Sequence, residues 1–509
     1  MTAMRPAPSV HPAINPLADA SFMDAVVAGA ARLTPEQGLH ILRDMPLADL
    51  GMWADLRCRQ VHGDHVRTYV IDRNINYTNV CTAKCTFCAF RRDAEDHDSY
   101  TLTYESILHK IEELVAIGGT QILMQGGMNP ELPLSWYLEL LREIKRRFPN
   151  VHVHAFSPPE FVEFVNFFDP PGDTYEAKVR GIMRQLKDAG LDSVPGGGGE
   201  IFAPAVRSKI GLGKCTAEAW LTTMYVAHEL GMNTSSTMMF GHIEGHADRV
   251  HHMELTRQWQ DRAINDFATQ GGGRYKAFIS WPFQRENTPL GRAKEWGHGG
   301  AGAAGAAAGD DLSQPFPGDV VAKLDGSGTK EAHPEFGRRV RMAGATEYLR
   351  TQALSRLYLD NIHSIGASWV TMGPHVGQVG LRFGANDMGS VMMEENVVSS
   401  AGTVHCLNEP VICRLIRDAG FLPAQRNNAY NLLKVHDGPT SPDLMVKDWS
   451  ELRAKPMHQE APRGAGTTKS AAPNANAVPL TVTARTAAVG AHTAANSSIT
   501  PPPVMPAKI

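Results

Sequence analysis

Three cysteines, Cys81, Cys85 and Cys88, stand within eight residues of a 509-residue chain that holds seven in all. The stretch is "CTAKCTFC", a C-x3-C-x2-C spacing. Three thiolates on one loop can hold three irons of a cubane cluster. The fourth iron, which normally takes a fourth cysteine, is then open to chelate a small molecule. Two other readings exist. A zinc ion would need a fourth ligand, with His97 the nearest, but the common zinc pattern pairs two C-x2-C units and this loop has one. Thiols also pack in cores, yet "CTAKCTFC" is too polar to form an apolar patch. Cys58, Cys215, Cys406 and Cys413 are dispersed, without a compact motif for a second cluster.

A ligand loop needs elements to hold it. From Arg67 to about Asn265, short β-rich runs alternate with long amphipathic ones. The strands expected are "TYVIDRNI", "TQILMQGG", "VHVHAF", "LDSVPG" and "NTSSTMMFG", with "YKAFISWPF" and "IGASWVTMG" further on. Helices such as "TYESILHKIEELVAIG" and "YEAKVRGIMRQLKDAG" fall between them, several ending in Gly as a C-cap would. Strand–helix units repeated this often imply a parallel sheet, and a closed TIM-type (β/α) barrel is its economical form. The class is therefore α/β, with the barrel over 67–290 and 342–440. The cysteines directly follow its first strand, and loops at that end of barrel strands carry the active sites of the fold.

Around the barrel the pattern changes. Residues 1–20 are Pro- and Ala-rich and read as disordered, and 21–66 have helical spacing, with "LTPEQ" as a capped start. Residues 291–341, containing "GHGGAGAAGAAAGDD", read as a flexible low-complexity insertion, and 456–509 as a disordered tail. A net charge of −4 offers no basic field for nucleic acid or an anionic membrane surface, and no apolar run reaches the roughly 18 residues of a membrane span. The N-terminus has no secretory h-region, so the thiols are expected in a reducing cytoplasm.

With Phe87 before the third cysteine, "CTAKCTFC" resembles the signature of radical S-adenosylmethionine (SAM) enzymes. "RNINYTNVC", "GGTQILMQGG", "HAFSPPE", "GLDSVPGGGGEI", "TMMFGH", "FISWPFQRENT" and "LRFGANDMGSVMMEENVV" narrow the resemblance to the dehypoxanthine futalosine cyclase family of menaquinone biosynthesis. It covers roughly residues 30–290 and 343–430. The resemblance implies a 4Fe–4S cluster whose open iron chelates SAM, and a one-electron donor such as flavodoxin or ferredoxin. The deoxyadenosyl radical released from SAM would take hydrogen from the ribose-derived ring of dehypoxanthine futalosine. The carbon radical would add to the benzoate ring, and an electron and a proton would leave. Aminofutalosine synthases and deazaflavin-precursor synthases share the cysteine motif and the barrel. An iron–sulfur electron carrier is the reading from another class, although it has no need of a large cavity. The sequence does not set the oligomeric state.

The same resemblance places other residues. Gln125, Gly126 and Gly127 occupy the segment where the superfamily usually carries Gly-Gly-Glu around the SAM amino group, here without the Glu. Glu200 ends a four-glycine run at the barrel mouth, where it would touch SAM or substrate; capping the next helix, "APAVRSKI", is the alternative. His152 and His154 share a strand face by the period-two rule. That makes His154 and Glu160 ligand-contact candidates, with a satisfied core histidine as the plain alternative. Trp281 is a candidate for lining the substrate cavity. For the final proton, Glu394 or Asp387 is the candidate base, against solvation or helix capping. For the benzoate carboxylate, Arg73 and Arg382 are candidates for a bidentate partner.

Overall fold

The computed structural model describes residues 8–212, 215–292 and 343–449. Most of the 291–341 insertion and all of the 456–509 tail lie outside them.

The first barrel strand is one run broken at Ile71, Val66–Val70 (β1) followed by Asp72–Ile75 (β2). Gln121–Met124 (β3) pairs in parallel with β2, and His152–Ala155 (β4) with β3. The fourth position has only single bridges, His154 to Ser193 and Val194 to Thr234. Thr234–Phe240 (β5), Tyr275–Pro282 (β6), Ser364–Gly366 (β7) and Asp387–Ser390 (β8) continue the parallel order, and β8 returns to β1. Because β1 and β2 are one stretch of chain, the circuit closes into an eight-position parallel barrel. Leu422–Arg426 (β9) adds to β1 in parallel, and Leu432–Val435 (β10) folds back on it antiparallel.

Alternation explains the barrel wall. On β5, Ser235, Thr237 and Met239 face the interior, while Met238 and Phe240 are fully buried. The helices start where the sequence provides caps: Thr103, Thr174 and Thr216 accept from the amides of Ser106, Ala177 and Ala219, each worth about 1 kcal/mol. Tyr77, Tyr137, Phe156 and Phe164 pack edge-to-face beneath the first units.

Residues 8–19 differ from the disordered segment expected. Ser9–Val10 pairs with Ala31–Arg32, and the Gln37 amide donates to the carbonyls of His11 and Ile14, 2.8 Å each. The N-terminal helices Pro35–Asp44 and Leu47–His62 lie against Ala345–Tyr358 of the barrel, and Ala20–Ala28 lies against Leu47–His62. The approach is close: a Cβ on Gly38 would stand 2.7 Å from the Tyr358 ring. Two strands are shorter than their sequences suggest. "IGASWVTMG" turns from β7 into the helix Trp369–Met372, and "LDSVPG" contributes only its two bridges. The closing strand β8, inside "GANDMGS", gave no strand pattern at all.

Candidate functional site

The strand ends and their loops surround one cavity of about 530 Å³. The cysteine loop closes its upper side. It is tied across its base by Cys81 N to Arg92 O at 3.0 Å and Arg92 N to Asn79 O at 2.9 Å. The buried Arg92 guanidinium holds both Asp98 oxygens at 2.8 Å and three carbonyls of the loop. Cys81, Cys85 and Cys88 all line the cavity. Burial pushes all three thiols up, Cys85 furthest, so stable thiolates here need a metal's positive charge. Backbone amides of Met128 and Ala83 point at Cys81 sulfur, and those of Arg91 and Phe90 at Cys88 sulfur, as they would toward cluster thiolates. His97 is no fourth ligand, since its side chain is 85% exposed and turned toward Asp98. Among the described residues no three His, Cys, Asp or Glu side chains gather closely enough to hold one ion. A cubane, which takes its thiolates at separate corners, suits the donor set better than zinc.

Two glycine segments press against this loop. A Cβ on Gly127 would stand 2.1 Å from the Val80 carbonyl oxygen and 3.0 Å from Cys81 Cβ, and one on Gly126 would enter the Tyr77 ring. Glu160 fixes the segment from below: its Oε1 accepts from Tyr77 Oη (2.7 Å) and Gly126 N (3.2 Å), its Oε2 from Ser157 N and Oγ. Glu160 is thus occupied in holding the loop and the start of helix Pro158–Phe168, in place of the ligand contact expected. The run Gly196–Gly199 crosses β5 so closely that a Cβ on Gly199 would lie 2.5 Å from the Thr237 carbonyl oxygen. Arg207, buried behind it, donates to the carbonyls of Gly198, Gly199 and Cys215.

Glu200 follows in a left-handed conformation, φ 42°, and lines the cavity. Its Oε2 is buried without a partner, and burial raises its pKa to about 7 against the pull of Arg207. The helix Pro204–Lys209 has Ala203 as its cap and no side-chain cap bond, so Glu200 is free for a ligand. Gln125, Gly126, Gly127, His154 and Trp281 are brought to the same cavity. His154 Nδ1 lies 2.6 Å from Ser193 Oγ, and burial lowers its pKa to about 3.

Three candidates go elsewhere, and a fourth reaches the cavity already paired. Arg73 does not reach the cavity: it is buried between Glu394 Oε2 at 2.7 Å and Glu113 Oε2 at 2.5 Å. Glu394 is held by Arg73 and, at 3.1 Å, by Lys110, so it is a counterion rather than a free base. Arg382 lies on the outside, over the Phe421 ring at 4.2 Å and bonded to the Ala419 carbonyl. Asp387 does line the cavity, but Arg426 grips both its oxygens at 2.6 and 2.8 Å, and Thr68 Oγ1 and Gly389 N donate to it as well. With every lone pair engaged it cannot take a proton at a substrate carbon. The residues missed are Arg426, which nothing in "FLPAQRNN" marked, and the interior run Asp72, Asn74 and Asn76. The latter had a readable signal, polar residues at period two within an apolar strand.

The chain matches the radical SAM superfamily model over residues 75–256 and the CofH/MqnC C-terminal region over 335–438. It is 37% identical over 406 residues to the cyclic dehypoxanthine futalosine synthase of Halalkalibacterium halodurans, spanning 80% of this chain and 93% of that one. It is 36% identical to the 5-amino-6-(D-ribitylamino)uracil–L-tyrosine 4-hydroxyphenyl transferase of Methanopyrus kandleri, over 74% and 87% of the two chains. The solved structure of methylornithine synthase (PylB) shares the fold, with a TM-score of 0.53 at 14% identity, over 79% of this chain and 97% of that one. The barrel with three thiols at its mouth is thus that of a known group, and the chain belongs to the cyclic dehypoxanthine futalosine synthase family of the radical SAM superfamily, whose members generally use a 4Fe–4S cluster and SAM.

Proposed function

We propose that this protein cyclises dehypoxanthine futalosine to cyclic dehypoxanthine futalosine in the futalosine route to menaquinone. The observation that carries this is one cavity of about 530 Å³ with three half-buried thiols at its mouth, in a chain that aligns with 93% of a named cyclase. When bound, the cluster and SAM supply the 5′-deoxyadenosyl radical that starts the chemistry. Cys81, Cys85 and Cys88 hold the three ligated irons. Gln125, Gly126 and Gly127 receive the amino acid end of SAM: the bare glycine backbones allow the approach, and the absent Glu leaves carbonyl dipoles to meet the ammonium. Glu200, with one unpartnered oxygen, accepts from a SAM or substrate hydroxyl or ammonium. Trp281, in the same apolar cluster as Cys85 and Phe87, and His154, within β4, face the substrate. The electron donor is a flavodoxin or ferredoxin, and the cytoplasm suits an oxygen-sensitive cluster. Among the described residues no helix is long and apolar enough to cross a membrane.

The test is anaerobic turnover of iron-reconstituted protein with SAM, a one-electron reductant and dehypoxanthine futalosine, followed by mass spectrometry. The expected result is 5′-deoxyadenosine with a product two hydrogens lighter than the substrate. A parallel reaction receives tyrosine and 5-amino-6-(D-ribitylamino)uracil. Product in that vessel alone would move the protein to the activity named for the Methanopyrus kandleri relative.

A further inference from the structure

Strand β4 and the bridge beside it line up three groups able to pass a proton. Ser193, the bridge partner of His154, stands between the two histidines of β4. Its Oγ is 2.6 Å from His154 Nδ1 and 2.6 Å from His152 Nε2. A hydroxyl has a single proton to donate. If Ser193 donates to His154, it accepts from His152 Nε2–H, and the proton of His154 sits on Nε2. If it donates to His152, it accepts from His154 Nδ1–H, and His154 Nε2 is a bare lone pair. One hydroxyl therefore locks the two imidazole tautomers together. His154 lines the cavity and is buried, whereas His152, two residues nearer the start of the strand, is only half-buried. The row thus runs from the reaction chamber to the lower rim of the barrel, away from the cysteine mouth.

Glu200, beside the cysteine loop, keeps one oxygen open for a ligand there, and the other acidic groups of the chamber are engaged. Asp387 is clamped by Arg426, Glu160 holds the Gly126 loop, and Asp72 is bonded by Ser390 and Gln121. Glu395 is spent on the amides of Val397 and Ser399. Around the row itself, Arg426 and His152 act on His154, while Asp192, paired with Lys145 at 2.5 Å, and Lys145 act on His152.

We propose that His154 takes the proton which the substrate ring loses on cyclisation, and that Ser193 and His152 carry it out of the barrel; this rests on the cyclase reading above. Once the new carbon–carbon bond has formed, the ring carries an unpaired electron and one hydrogen too many. The electron passes to a one-electron acceptor of the flavodoxin or ferredoxin class. The C–H bond breaks heterolytically, its electron pair restores the aromatic ring, and the proton joins His154 Nε2. His154 Nδ1–H passes its proton to Ser193 Oγ, the Ser193 proton moves to His152 Nε2, and His152 Nδ1–H releases one to water. One proton enters, one leaves, and each group ends neutral. A weakly basic, neutral imidazole is sufficient because regained aromaticity makes that C–H strongly acidic. Proton release at the lower rim also requires no opening of the SAM-covered mouth.

The experiment uses reconstituted holoenzyme with SAM, reductant and dehypoxanthine futalosine, and reads product per 5′-deoxyadenosine. Hydrogen abstraction precedes proton loss, so breaking the row makes 5′-deoxyadenosine outrun product. Ser193→Ala, which leaves both imidazoles, is expected to lower the ratio about tenfold, less than the roughly 10²–10⁴-fold of a whole positioned base because His154 itself remains. His152→Gln, at the half-buried end, should give the same loss, and Ser193→Thr, which restores the hydroxyl, should recover most of it. Selective 15N-histidine spectra of the iron-free protein should show the tautomers of His152 and His154 shifting together, and independently in Ser193→Ala. A wild-type ratio in both Ser193→Ala and His152→Gln would overturn the relay. Wild-type protein that forms no product from dehypoxanthine futalosine overturns the cyclase reading first, and the relay with it.

Discussion

Glu394→Gln separates a structural carboxylate from a catalytic one. Glu394 is fully buried, Arg73 is 2% exposed and Lys110 6%, so two cations depend on one anion away from water. Removing one partner of a buried pair costs about 3–5 kcal/mol, mostly as stranded charge. Two features favour the low end. Glu113 Oε2 remains 2.5 Å from Arg73, and the Gln amide oxygen can still accept from one of the two cations. A loss of about 3 kcal/mol is therefore expected, and at about 2 °C per kcal/mol for a large domain the melting temperature should fall by about 6 °C. The carboxylate does not reach the cavity, so the variant should still form product at a temperature where it is folded. Anaerobic circular dichroism melts paired with product counting by mass spectrometry read both quantities. A Glu394→Gln protein that melts with the wild type yet forms no product would refute this reasoning and return Glu394 to the chemistry.

Gly127→Ala should reduce the iron retained after reconstitution by more than half, because its Cβ would stand 2.1 Å from the Val80 carbonyl oxygen and push Cys81 aside. Gly181→Ala is the control: nothing lies within 4 Å of that Cβ in the helix Tyr175–Ala189, and the change should stabilise by about 0.5–1 kcal/mol without altering iron content. Glu200→Gln should flatten the pH dependence of melting in ligand-free, iron-free protein. The Glu200 pKa is raised from 4.5 to about 7, so the folded state holds a proton there that the unfolded state has lost. Stability then falls as pH rises from 4.5 to 7 and is level above, a loss of about 3 kcal/mol at 1.4 per pKa unit. Wild-type melts that rise over that window, with no difference in Glu200→Gln, would contradict the burial argument.

What could be read from the sequence was what short-range physics decides. The cysteine spacing, the glycine runs and the Thr34 cap of "LTPEQ" act within a few residues; the structure uses the glycines and the cap where they stand and brings the three thiols to one cavity. The period-two run of Asp72, Asn74 and Asn76 belongs with them and was legible in principle. What could not be read depends on partners far along the chain. β8 forms because Asp387 meets Thr68 and Gly366 on the strands at either side, against the local preference of "GANDMGS" for a turn.

The acidic candidates failed for the same reason. Glu394 and Asp387 carry the composition of a general base, but the role of a buried carboxylate is set by what opposes it. Arg73 lies 321 positions from Glu394, and Arg426 is 39 beyond Asp387. Arg73 with Lys110 and Asn396, and Arg426 with Thr68 and Gly389, satisfy these acids so fully that no lone pair remains for chemistry. Conversely, Ser193 looked like an ordinary strand residue until the barrel set it between His152 and His154. An interior with this many polar side chains needs most of them to pair with one another to remain folded. The groups proposed above for function, the three thiols, Glu200 Oε2 and His154 Nε2, are ones that line the cavity without being consumed by such a pairing. Residue type alone selects acids that the fold has already paired, because the role of a buried side chain is set by its partners and not by its type.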